Sequence, residues 1–96
     1  MTWTVSVLKP AEDGVRAICP EKADDILATV RSQLSAHAED YQADRWPNCP
    51  DDYFTYGHVI IAGGHWHQLV FVVKDSKGPG LLDVVWVEDH PGAEVG

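Results

Sequence analysis

Histidine is the side chain whose ordinary titration falls near neutral pH, and this sequence places two of its five around a tryptophan, in His65-Trp66-His67 directly after Gly63-Gly64. Residues two apart on a strand point to one face, so the two rings form a workable pair of zinc, nickel or copper ligands. No third ligand stands at a diagnostic spacing from them. The tripeptide is therefore read as the polar edge of a strand, and no metal is expected. The second chemistry open to these rings is proton transfer. A histidine near an open sheet face can serve as general base or acid in cleaving RNA through its 2′-hydroxyl. His58, His67 and His90 are the candidates, and in Glu88-Asp89-His90 a neighbouring carboxylate is placed to orient the last ring or raise its pKa. The competing reading of that tripeptide is a solvated turn.

A substrate carrying phosphates also needs cations. Arg45, Lys74 and Lys77 are the candidate phosphate contacts, and Trp46, in a loop marked by Pro47, Asn48, Pro50 and Asp51, is expected against the sheet or lining a cleft. The acidic pairs Asp24-Asp25 and Asp51-Asp52 read as a solvated helix start and a turn. Neither a nucleophile motif, a P-loop nor a dinucleotide fingerprint is present, and no cofactor is expected. Cys19 and Cys49 are each followed by proline and sit in no Cys-x-x-Cys pair, so they read as free, buried or half-buried thiols.

Charge limits the partners. Seven Lys and Arg against fifteen Asp and Glu give a net charge of -8. A protein that grips nucleic acid neutralises phosphates with clustered cations, and here they are scattered, so RNA is disfavoured as a partner. No apolar run approaches the roughly 18 residues of a membrane span. "MTWTVSVLKP" lacks a basic start and a cleavage site, so no signal peptide is read and a cytoplasmic location is expected. Ninety-six residues make one domain with a modest core.

The elements that must position these side chains are legible from periodicity. Trp3 to Leu8 alternates as a first strand. Pro10 suits the start of a short helix over "AEDGVRAI", which Gly14 weakens. Cys19 is expected to cap a second helix, about Glu21 to Asp40, with Pro20 as its first residue. Ala23, Ile26, Leu27, Val30, Leu34, Ala38 and Tyr41 form its apolar stripe, and Arg31, Ser35 and Glu39 its solvated side. Three strands follow, roughly Tyr53 to Ala62, Trp66 to Lys74 and Leu81 to Glu88, and the tail "HPGAEVG" is expected to fray. The order β-α-α-β-β-β predicts an α+β domain: a four-stranded, mainly antiparallel sheet covered on one face by the long helix.

This layout resembles the RelE/ParE toxin superfamily. "MTWTVSVLKPAEDGVRAI" with "CPEKADDILATVRSQL" is similar to its opening strand and two helices. "YGHVIIAGGHWHQLVFVV" with "LLDVVWVEDH" is similar to its three closing strands. The likeness spans most of residues 1–96 and rests on element order and hydrophobic pattern. It implies a toxin silenced by an antitoxin protein, acting as a ribosome-dependent endoribonuclease on mRNA or, in the ParE branch, inhibiting gyrase. Where relatives often carry arginines this chain carries His58 and His67, and only His90 falls where a C-terminal catalytic His or Tyr belongs. A second function class is therefore kept: a non-catalytic acidic binding module on the same scaffold, taking a protein partner or small ligand.

Both parities of the later strands are apolar, Leu69, Phe71 and Val73 on one side and Trp66, Val70 and Val72 on the other. One helix covers one face, so a homodimer or a tight complex is expected. Because Gly63-Gly64 sets Ala62 opposite His65, His67 is expected near His58, opposite or one diagonal away, on the solvent-accessible side of the sheet.

Overall fold

The computed structural model describes residues 3–43, 52–75 and 80–94. The elements are β1 (Thr4–Val7), α1 (Lys9–Ile18), α2 (Ala23–Ala43), β2 (Tyr53–Ala62), β3 (His65–Asp75) and β4 (Leu81–Glu94). The four strands form one sheet in the order β1-β4-β3-β2. β2, β3 and β4 pair antiparallel, and β1 lies parallel to β4. This is the expected α+β architecture, with β1 adding one parallel pair to a mainly antiparallel sheet. The β2–β3 turn is also as expected: Gly63 and Gly64 have φ of 60° and 78°, and Ala62 pairs with His65. Left-handed backbone at both positions is why the turn is built of glycine.

Both helices pack on the same sheet face. Ala11 and Val15 of α1 join Ala23, Ile26, Leu27, Val30, Leu34 and Ala38 of α2 in one buried cluster with Phe54, Leu69, Phe71, Val73, Leu82, Val84 and Val87. The predicted stripe of the long helix is the buried stripe. Its start differs. The Cys19 N–H closes α1 on the Val15 carbonyl at 2.9 Å, so Cys19 ends the first helix instead of capping the second. Pro20, which has no N–H to continue α1, opens a turn through Lys22, and α2 begins at Ala23. Ser35 and Glu39, expected to be solvated, instead hold β1. The Ser35 hydroxyl donates to the Trp3 carbonyl at 2.8 Å, and the Trp3 indole N–H donates to Glu39 at 3.0 Å.

Two irregularities shape β4. Val72 pairs with Trp86 but Val73 pairs with Val84, so Val85 is an extra residue that shifts the phase of everything after it. Leu82 and Val84 face the helices before the bulge, and Val87 faces them after it, while Trp86 turns to the open face. Nor does the tail fray within the described residues. β4 runs on to Glu94, with Gln68 opposite His90, His67 opposite Pro91 and His65 opposite Glu94. Strand β3 reaches back to His65 and supplies the ladder, and Pro91 is tolerated because it sits where the register slips.

Gly14 has a purpose that its helix propensity hides. A β-carbon there would lie 2.5 Å from Val87 Cγ1, so the missing side chain lets α1 approach β4. Gly14→Ala should therefore destabilise the fold by about 1–2 kcal/mol, although alanine normally favours a helix by about 1 kcal/mol over glycine. In a Val87→Ala background the same change should become neutral or stabilising. Denaturant titration of the four proteins reads both values.

Candidate functional site

β3 and β4 bring His67 and Asp89 together. The bulge at Val85 puts Asp89 opposite Leu69, on the helix-covered face, one diagonal from His67. The His67 Nδ1 lies 2.8 Å from Asp89 Oδ1, and its Nε2 lies 3.1 Å from the Ala62 carbonyl oxygen. Only 16% of the His67 side-chain surface and 28% of that of Asp89 remain exposed. A carboxylate and a carbonyl only accept hydrogen bonds here, so satisfying both requires two N–H donors. Only the protonated ring has two. The Asp89 bond is accordingly the main cause that raises the His67 pKa above 6.5; partial burial opposes it and the Ala62 carbonyl adds to it. The ring works as a strap joining the end of β2 to β4. In this arrangement it has no lone pair to act as a base.

His67 does not face the open side of the sheet, as expected from the sequence. It has the parity of Leu69 and Phe71 and lies at the rim of the covered face. His58 is indeed one diagonal away, since His58 pairs with Leu69 and Ile60 with His67. The two rings have separate environments. His58 Nδ1 lies 3.5 Å from the Tyr56 hydroxyl, the rings of Tyr56 and Tyr41 meet edge-on at 4.8 Å, and burial pushes the His58 pKa down. Tyr56 is pushed up, by burial first and then by Tyr41. His58 is thus a neutral, half-buried imidazole beside a protonated phenol.

His90 is on the other face. It pairs with Gln68, is exposed, and has its Nε2 3.5 Å from Glu88. The three candidate histidines therefore do not converge: two lie on the helix face and one on the open face. Lys74 stands on the open face with its ammonium 5.7 Å from the centre of the Tyr53 ring. Arg45, Trp46 and Lys77 lie outside the described residues. Elsewhere Arg16 is held by Asp24 at 2.9 Å and Glu12 at 3.1 Å, and Lys9 lies 3.5 Å from Asp13. These cations sit on the helix layer, on the opposite side from Lys74. A pocket between the α1–α2 turn and the β2–β3 hairpin, lined in part by Cys19, Lys22 and Ile61, contains none of the candidate histidines. Among the described residues no three His, Cys, Asp or Glu side chains are grouped to hold a metal.

The sequence reading assigned Asp89 as a partner for His90; the structure gives it to His67 and leaves Glu88 beside His90. Only the bulge decides this, and no residue type announces it. Of the described helices, none is long and apolar enough to cross a membrane. Compared with protein-family models, curated proteins and solved structures, the chain matches none of them.

The strap has a pH signature. A raised His67 pKa means stabilisation that is complete below the ordinary value of 6.5 and lost as pH rises through the folded value. The melting temperature of the native chain should exceed that of Asp89→Asn by most near pH 6, and the gap should narrow toward higher pH. A gap that widens from pH 6 upward would exclude a protonated strap.

Proposed function

We propose that this chain is a RelE/ParE-like domain that acts in the cytoplasm as a binding module, taking a protein partner on the open sheet face instead of cleaving RNA. The observation that carries this reading is the engagement of both nitrogens of His67, which leaves its ring a structural part. His58 is separated from the open face by the sheet, and the described cations are divided between the two sides of the molecule. The open face has the character of a binding surface. Val59, Ile61, Trp66, Leu81 and Trp86 keep between 42% and 55% of their surface, and all stand on the face the helices leave uncovered. Exposed apolar side chains gathered on one face of a small domain mark association more often than chance. The net charge of -8 favours a partner with positive charge, because complementary fields speed encounter and reject like-charged competitors. A basic counterpart of the antitoxin implied by the family resemblance would have this chemistry.

A second reading is the toxin endoribonuclease, and His90 favours it. This ring is exposed on the open face beside Glu88, free of the double engagement that holds His67. The two readings part in one experiment. Under the binding reading, induced expression of the chain leaves growth and mRNA integrity unchanged, and His90→Ala behaves as the native protein. The product of the adjacent reading frame, co-purified with the chain, should then lose at least tenfold in affinity to a Trp66→Ala/Trp86→Ala variant, about 1.4 kcal/mol. Growth arrest with mRNA cleavage that disappears in His90→Ala would establish the nuclease instead.

A further inference from the structure

β2 lies at the edge of the sheet, and its sequence is unprotected. Proteins guard exposed edge strands with charge, proline or shortness. Tyr53–Ala62 reads YFTYGHVIIA: ten residues with no Asp, Glu, Lys, Arg or proline, against a usual strand of roughly 5–6 residues. All fifteen acidic residues of the chain lie elsewhere. Its inner side pairs with β3 along the whole length, from Tyr53–Lys74 to Ala62–His65. Among the described residues, no backbone hydrogen bond reaches its outer side. The other edge strand, β1, has only four residues and runs straight into α1.

We infer that the outer edge of β2 is a self-association edge, pairing antiparallel with β2 of a second copy to extend the sheet across a two-fold axis. The chemistry of an open edge, alternating N–H donors and carbonyl acceptors, fixes the occupant as an extended strand. Charge selects which strand. Two copies of a chain with net charge -8 repel one another over most of their surfaces, and β2 is the one long strand on which no fixed charges meet. An antiparallel pair of identical strands is self-complementary about a two-fold, the commonest symmetry of small oligomers. Aromatic and β-branched residues suit the pairing: Tyr53, Phe54, Thr55, Tyr56, Val59 and Ile60. Val59 and Ile61, exposed at 55% and 42%, are next to the edge on the open face and would cover one another across the axis. The inference is independent of the proposed partner on that face, because it uses the strand's backbone and rim.

Light scattering after gel filtration tests it, from low to high micromolar protein. The expected mass is twice the 10.6 kDa of the chain. Val59→Lys sets like charges beside the axis and should raise the dissociation constant at least tenfold, while Trp86→Lys, on the same face but two strands away, should leave the dimer unchanged. Circular dichroism confirms that each variant is folded. Hydrogen exchange of the native protein supplies a readout without mutation: every β2 amide should be protected at high concentration, and alternate ones should exchange faster on dilution. A native chain that stays monomeric, a dimer broken by Trp86→Lys but not by Val59→Lys, or alternate β2 amides that exchange freely at every concentration would overturn the inference.

Discussion

A single extra residue in β4 decides which side chains can meet. Up to Val84 the strand shows its even-numbered residues to the helices. Past Val85 it shows the odd-numbered ones. Without that bulge Trp86 would be driven into a core already filled by Phe71, Val73 and Val84, and Val87 and Asp89 would stand in solvent. With it, Val87 meets the bare backbone of Gly14, Asp89 meets His67, and Trp86 and His90 are delivered to the open face. The packing of α1, the ion pair at the hairpin end and the character of the exposed surface all follow from that one change of phase.

Periodicity made most of the fold legible. The stripe from Ala23 to Ala38 is the buried stripe of α2, and Gly63-Gly64 makes the turn it signals. What sequence patterns could not convey was the content of exceptions. Gly14 reads as a weak point in a helix, because its worth lies in a neighbour from β4. Cys19-Pro20 suits a helix start as well as a helix end, and the choice is made by a hydrogen bond back to Val15. Ser35 and Glu39 look solvated on their own helix because the atoms they hold belong to Trp3, more than thirty residues away. The tail from His90 looks frayed until β3 is seen to reach back to His65.

The candidate site was legible as residue types and not as a constellation. His58 and His67 share a face as the hairpin geometry required, yet that face is the covered one. His67 pairs with Ile60, whose parity is that of Phe54 and Tyr56 in the core. Three histidines spread over two faces, with different partners, do not make one proton-transfer centre. What they describe is a domain whose acidic surface and bare apolar sheet suit association. His67 contributes by tying the hairpin to β4, so the strands carrying Trp66, Val59 and Ile61 stay in register.

The protonation state of His67 is where this account is most exposed. Long-range nitrogen–proton correlation NMR on the histidine rings at pH 7 distinguishes an imidazolium from either neutral tautomer by its nitrogen shifts. The account requires both ring nitrogens of His67 to carry protons at that pH and the ring to titrate above 6.5, with Asp89→Asn bringing it down. A neutral His67 with one bare nitrogen at pH 7, titrating at or below 6.5, would contradict it and return the ring to the list of working bases.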